Sequence, residues 1–410
     1  MTKIAEKLCL SFTFIEIMSK IAFDNTEVAF KYKSNADLKR AYRLFKMVGK
    51  PWLVSLGKTM TPIAFKLRLP IKGLIKSTIF KQFCGGESMN ECDHTISTLY
   101  KYRVGTILDY SIEGQVEEAE FDATRDEIIE TIKKAKGNPA IPFGVFKPTG
   151  LARFELLEKF NDPKAVPSAA EKDEFSRIIE RIDSICKFAH ENGLPIFVDA
   201  EHSWIQDTVD RLVESMMVKY NKEKAIVYNT YQMYRHDRLD HLRESIEKAK
   251  LGGYKFGAKL VRGAYMEIER ERAAEMGYPS PIYPNKAETD KGFDAAVTLM
   301  VEEIEHTALS CGTHNEDSSQ LLVDLMEKYH IAKDDPRIYF AQLLGMSDHI
   351  SFNVANEGYN VTKYVPYGPI KMVMPYLLRR AQENTSVAGQ TGRELTLLTK
   401  ELKRRKLDKQ

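Results

Sequence analysis

Tyr376, Arg379, Arg380 and Glu383 fall within PYLLRRAQEN (375–384), a run of good helix formers in which Pro375 suits a helix start. On a helix these four stand at i, i+3, i+4 and i+7, so they share one face. That face offers two guanidinium forks, an aromatic ring and a carboxylate. A fork matches a carboxylate bidentately, so the chemistry expected is capture of a small amphiphile with a carboxylate head and an apolar body. Adjacent arginines are also common on solvated helices. The other polar residues must therefore decide whether a site exists.

They recur at the ends of β-rich runs. Lys147 closes IPFGVFK (141–147), and Asp199-Ala200-Glu201 closes PIFVDAE (195–201). Asn229, Tyr231 and Gln232 lie in AIVYNTYQ (225–232), and Lys259, Arg262 and Tyr265 in FGAKLVRGAY (256–265). Thr313-His314-Asn315 closes ALSCGTHN (308–315), Gln342-Leu343-Leu344-Gly345 closes RIYFAQLLG (337–345), and Tyr364 stands in VTKYVPYG (361–368). A lone lysine at a strand end is ordinarily solvated, and a lone histidine is ordinarily a satisfied core residue. Convergence of this many is what predicts a pocket.

The elements that must position these residues follow. With VGTILDYS (104–111) there are eight candidate strands, separated by helical patterns such as 123–136, 169–192 and 208–219. Eight strands alternating with helices predict the α/β class and a distorted (β/α)8 TIM-like barrel, with an open doubly wound sheet as the alternative. In such a barrel the polar strand ends meet on one face.

The expected organisation is a basic N-terminal helical arm (1–99), the barrel (100–395) and a charged, solvated C-terminal tail (396–410). From Leu38 to Gly86 there are eleven Lys and Arg and no acidic residue, interleaved with apolar positions. Ser34-Asn35-Ala36-Asp37 reads as a capping box, followed by Leu38, Tyr42, Phe45 and Val48 at helical spacing. Such an arm either packs on the main domain or meets an anionic membrane surface.

Composition excludes several classes. The chain has 410 residues, 43% of them hydrophobic, and a net charge of +2. That is core enough for a large barrel, and no basic excess marks a nucleic-acid binder. The five cysteines are scattered without a CxxC, as in a reducing compartment. There is no GxGxxG, Walker loop, HExxH or GxSxG, so Rossmann and P-loop sites, a helical zinc site and an α/β-hydrolase nucleophile are disfavoured. No metal is expected. The N-terminus lacks a signal-peptide cleavage site, and Glu6 and Glu16 without arginine disfavour a transit peptide. The setting expected is a bacterial cytoplasm, peripheral on the inner membrane, with a mitochondrial location as the alternative.

The runs DAEHSW (199–204), FGAKLVRGAY (256–265), THNED (313–317), QLLGM (342–346), KYVPYGP (363–369) and PYLLRRAQEN (375–384) resemble the proline dehydrogenase family over residues 80 to 395. The resemblance implies a distorted (β/α)8 barrel holding FAD non-covalently. It implies oxidation of L-proline to Δ1-pyrroline-5-carboxylate, by hydride transfer from C5 to the flavin N5, as the first step of proline catabolism. Electrons would pass to membrane quinone, and the product to a separate pyrroline-5-carboxylate dehydrogenase, because the aldehyde dehydrogenase half and DNA-binding segment of bifunctional relatives are not seen here.

The resemblance also assigns residues. Arg379 and Arg380 match the pair that binds the proline carboxylate, with Lys147 and Glu383 as charged neighbours. Tyr265, Tyr364 and Tyr376 match aromatic residues around the ring, with Leu343 or Leu344 beside them. Asp199 matches the acid that accepts a hydrogen bond from the strand-eight tyrosine. Asn229 and Lys259 match positions near the isoalloxazine, standing where many bacterial members have Gln and Arg. Arg262, Gly263 and Ala264 match phosphate and backbone contacts, and Thr289, His314 and Asn315 further FAD contacts, with Tyr265 and Glu383 also at the cofactor. A bulky Tyr364 favours proline over 4-hydroxyproline. The alternatives are a hydroxyproline dehydrogenase and a non-catalytic anion-binding or lipid-binding barrel.

Overall fold

The computed structural model describes residues 20–50, 52, 55, 57, 59–60, 70–111, 115–386 and 390–407, and the side chains of residues 382–391 fall outside that description. Among the described residues there are eight strands: β1 (Val104–Tyr110), β2 (Gly144–Phe146), β3 (Ile196–Val198), β4 (Val227–Gln232), β5 (Phe256–Val261), β6 (Thr307–Gly312), β7 (Ile338–Leu343) and β8 (Val361–Tyr367). Each falls inside or within one residue of a predicted run. All pair in parallel, in the order β1-β8-β7-β6-β5-β4-β3-β2. The remaining seam is closed by a parallel bridge between Ile107 and Phe143 and by the Thr106 N–H to the Ala140 carbonyl at 2.8 Å. The chain is a (β/α)8 barrel.

Parallel neighbours require crossovers, and helices supply them. After α1 (Asn35–Val48) in the arm come α2 (Glu118–Ala135), α3 (Ala169–Glu191), α4 (Ser203–Tyr220), α5 (Arg238–Gly252), α6 (Lys286–Glu302), α7 (Glu316–Lys328) and α8 (Asp348–Asn356), then α9 (Ile370–Ser386) and α10 (Gln390–Arg404). Their starts are chemically specified. Ser34 caps α1 through the Asp37 N–H, Ser168 and Glu171 form a capping box on α3, and Asn315 Oδ1 accepts from Asp317 and Ser318 on α7.

The barrel interior is a packed aromatic plug, not a channel. Phe143 stacks on Phe197 at 4.4 Å between ring centroids, and Tyr228 meets both edge-on. Gly257 makes room for this: a Cβ there would come within 2.7 Å of the Tyr228 ring. The plug forces any ligand to the C-terminal mouth.

Two expectations are corrected. Residues 396–407 are not a solvated tail. They form most of α10, with Leu397, Leu398 and Leu402 buried in one cluster with Leu38, Ala41, Leu44 and Phe45 of α1. Lys400, Lys403 and Arg404 are the wet face of an amphipathic helix whose leucines face inward. Arm and C-terminus therefore share a core that lies outside the barrel. Likewise Pro375 does not open its helix; α9 begins at Ile370, so the proline removes one internal backbone donor.

Candidate active site

At the mouth of the barrel two carboxylates and two lysines interlock. Asp109, one residue before the end of β1, accepts from Lys147 Nζ at 2.8 Å on both oxygens. The same ammonium is 3.9 Å from Asp199 Oδ2. Asp199 follows β3; its Oδ1 is gripped by Lys259 of β5, and its Oδ2 accepts from the Tyr364 hydroxyl of β8 at 2.5 Å. Burial pushes the Asp199 carboxyl up, but Lys259 and Lys147 outweigh it and hold it below the usual carboxylate range. Burial, with Asp109 and Asp199 nearby, drives the Tyr364 phenol well above its ordinary value. Asp199 is therefore an anion and Tyr364 a neutral donor. Lys259 and Lys147 lie 5.1 and 5.9 Å from the centroid of the Tyr364 ring.

The arginine helix α9 covers this mouth. Tyr376 and Arg380 are buried and Arg379 is half-buried. The Arg380 guanidinium lies 5.1 Å from the Tyr376 ring centroid, and that of Arg379 lies 5.7 Å from the Tyr265 ring centroid. Tyr376 is near enough to Tyr364, and Arg380 to His314, for each to perturb its neighbour's ionisation. Thus Lys147, Asp199, Lys259, Tyr265, His314, Tyr364, Tyr376, Arg379 and Arg380 are brought together. Glu383 lies at a position whose side chain is outside the described set.

The donor-rich flank continues along β5 to β7. Arg262 is clamped by Asp290 (2.8 Å), Thr313 Oγ1 (2.8 Å) and Ser318 Oγ (3.0 Å), and stacks 4.3 Å from Phe293. Gly263 and Ala264 follow, both exposed. Gly263 has φ +130°, and a Cβ on it would strike the Tyr234 ring, so no side chain obstructs this shelf. Thr289 is buried at the start of α6, its hydroxyl 3.3 Å from the Asn285 carbonyl. The Asn315 amide oxygen is committed to its own helix cap.

Strand alternation separates three expected residues, Asn229, Tyr231 and Leu344, from the mouth; the Tyr231 hydroxyl donates to Ser245 of α5 at 3.0 Å. Asn229 does not face the mouth: its amide donates to Asp210 of α4 at 2.7 Å, on the outer surface of β4, where Arg238 also binds that carboxylate. Tyr228 points inward, so Gln232, four residues on, shares its face. Gln232 is 3% exposed, and its Oε1 has no hydrogen-bond partner among the described residues. Leu344 packs in the outer core, whereas Leu343 packs against the cluster that holds Tyr364 and the one that holds Tyr376. Asp109 was not among the expected residues, although its place at the end of VGTILDYS is the signal the other strand ends gave.

These residues fit a bound dinucleotide. The unpartnered Gln232 oxygen, the Lys259 ammonium and the open Gly263-Ala264 shelf beside Arg262 supply polar partners along a mouth floored by aromatics. Among the described residues no group of His, Cys, Asp and Glu could hold a metal ion.

The family model described as Proline dehydrogenase matches residues 92–393. Proline dehydrogenase 1, mitochondrial, of Dictyostelium discoideum is 35% identical over 432 residues, covering 94% of this chain and 75% of its own length. The human protein of the same name is 44% identical over 253 residues, covering 61% of this chain and 41% of its own. Among solved structures, proline utilization A from Bdellovibrio bacteriovorus, inactivated by N-propargylglycine, superposes with a TM-score of 0.70 at 20% identity, over 93% of this chain and 41% of that one. That likeness carries the fold. The family match and the Dictyostelium relative carry the kinship, and the chain is an oxidoreductase enzyme of the proline dehydrogenase family.

Proposed function

We propose that the chain oxidises L-proline to Δ1-pyrroline-5-carboxylate with non-covalently held FAD. The observation that carries this reading is the juxtaposition of Arg379 and Arg380 with Tyr265, Tyr364 and Tyr376 over one charged mouth. A small ring bearing a carboxylate finds there both an anion clamp and an apolar cover. When bound, FAD supplies the two-electron acceptor for the hydride leaving C5 of the ring.

The protein's own contribution is binding and orientation. Arg380, buried, and Arg379, half-buried, hold the carboxylate and fix which ring carbon faces the floor. The tyrosines exclude water from the ring. Lys259, Gln232, Arg262, the Gly263-Ala264 backbone and His314 hold the cofactor, with Thr289 and Asn315 beside them. Asp199 fixes Tyr364 and Lys259, and Asp109 fixes Lys147. The substrate amine must lose its proton before hydride departure leaves an imine. Asp199 has both oxygens committed and is held as an anion by two lysines, so we assign that proton to solvent.

For the electrons we propose a quinone, and for the product a separate dehydrogenase acting on its open-chain aldehyde. The arm supports peripheral contact with an anionic membrane: Arg43, Lys46, Lys50 and Lys72 are exposed, as are Met47, Trp52 and Leu74. No helix among the described residues is long and apolar enough to cross a membrane. The relatives reported above are mitochondrial by name, which favours a mitochondrial setting over the bacterial cytoplasm. The test is product formation. Protein incubated with L-proline and a soluble quinone should yield a cyclic imine trapped by o-aminobenzaldehyde; equal product with and without protein rejects the reading.

A further inference from the structure

Ser347 stands in a conformation that serines avoid. It precedes α8, with φ +50° and ψ +43°, and is 1% exposed. A serine at a helix start normally turns its hydroxyl onto the first free N–H groups of that helix. Ser347 makes no such bond. Its hydroxyl lies 2.9 Å from Nδ1 of His314 instead, across the top of β6 and β7. A non-glycine residue held in the left-handed region is strained and persists only where its surroundings impose it.

The surroundings are identifiable. The Ser347 N–H donates to Glu394 Oε1 of α10 at 2.5 Å, and Glu394 is 3% exposed. The turn before it is fastened from two further sides. Gln82 of the arm donates to the Gly345 carbonyl at 2.7 Å. Lys363, fully buried in β8, donates to the Met346 carbonyl at 2.5 Å and pairs with Asp348 at 2.9 Å. Helix α10 is itself latched to the barrel, because Arg393 binds Glu316 of α7 at 2.7 Å while His349 of α8 reaches the same carboxylate at 3.0 Å.

His314 is a neutral ring. Burial, together with the Lys363 and Arg380 cations, brings its imidazole down to about 3. A neutral imidazole has one donor and one acceptor nitrogen, and the partner on one nitrogen sets the role of the other. The Ser347 hydroxyl can donate to Nδ1 or accept from it; donation leaves Nε2 as the N–H, the arrangement that presents a donor to an acceptor-rich ligand.

We propose that Ser347 is a positioning residue for the cofactor flank: its hydroxyl fixes His314 as the Nε2–H tautomer, and Glu394 holds Ser347 in the left-handed turn that makes this possible. Helix α10, outside the eight βα units, thereby becomes part of the support of the site. This rests on the reading that His314 contacts FAD. The ligand class addressed is an acceptor-rich group, a phosphate or carbonyl oxygen of the dinucleotide.

Ser347→Gly separates a hydroxyl role from a backbone role, because glycine suits the turn and lacks only the hydroxyl. The measurements are the Kd for FAD with the apo-protein, from quenching of flavin fluorescence, the apo-protein Tm, and the histidine ring nitrogen shifts by NMR. The result expected is Kd raised tenfold or more, Tm unchanged or higher, and loss of the single His314 tautomer. Glu394→Gln, which keeps an acceptor for the Ser347 N–H, should hold Kd close to the native value, whereas Glu394→Ala should raise it as Ser347→Gly does. A Ser347→Gly protein whose Kd stays within twofold of native overturns the proposal. His314→Ala locates such a failure: if it raises Kd while Ser347→Gly does not, the positioning role alone is wrong. If it too leaves Kd unchanged, the reading of His314 at the cofactor falls with it.

Discussion

Tyr364 and Asp199, 165 residues apart, are joined by a hydrogen bond of 2.5 Å that crosses the barrel mouth from β8 to the end of β3. Lys259 takes the other oxygen of the same carboxylate. Three strands are thus tied through one side chain, and that carboxylate is held as an anion by the cations beside it, which opposes its taking up a substrate proton.

Removing the carboxylate should cost stability more than chemistry. Asp199→Ala leaves Lys259 buried without its partner, a loss of about 3–5 kcal/mol, read by urea unfolding. In Asp199→Asn the flavin should still be reduced by proline, more slowly, with a pH profile of kcat/KM of unchanged shape. Disappearance of the limb that reports amine deprotonation would instead make Asp199 the base.

The two arginines should not be equivalent. Arg380 is buried and Arg379 half-buried. Arg380→Met strands the substrate carboxylate in a desolvated place and should weaken proline binding by about 2–5 kcal/mol. Arg379→Met should cost less, because solvent screens it. Dissociation constants of a ring carboxylate lacking the amine would measure both; equal losses would contradict the difference in burial.

How much of this was legible in the sequence differs by residue. Strand positions are legible because each buried strand is a short apolar, β-branched run between turns. The side of a strand that a residue takes follows alternation, which neither its place near a strand end nor its place in a motif reveals. Asn229 and Leu344 face outward, and Gln232 and Leu343 are the ones on the inner face. The C-terminal residues looked solvated because they are rich in charge, yet the leucines at 397, 398 and 402 fix a buried stripe at helical spacing. The Ser347–His314 and Ser347–Glu394 contacts bring together residues 33 and 47 positions apart through a left-handed turn, and no local pattern encodes that.

His314 gives the fold an acid sensitivity. Burial and neighbouring cations lower its imidazole to about 3, against an ordinary value of 6.5. The unfolded chain therefore binds more protons between those two values, and stability falls as pH drops from about 6.5 towards 3. Carboxylates titrate in the same window, so the signature is a difference. The stability gap between native protein and His314→Gln should shrink as pH falls through this range; a gap independent of pH would contradict a neutral buried ring.

Tyr364 should shape selectivity. Its ring lies over the mouth, and its hydroxyl is fixed by Asp199, so an added hydroxyl on C4 of the substrate meets bulk without a free partner. Proline should exceed trans-4-hydroxyproline in kcat/KM by about 10–100-fold, and Tyr364→Ser should narrow the ratio. Comparable values in the native protein would remove Tyr364 as the discriminator.

The visible spectrum of the purified protein, recorded before and after anaerobic addition of L-proline, tests the central claim most directly. A flavin spectrum that bleaches on addition of proline is the predicted result. A protein that binds no flavin even after reconstitution with FAD, or a flavoprotein that proline leaves oxidised, would contradict it.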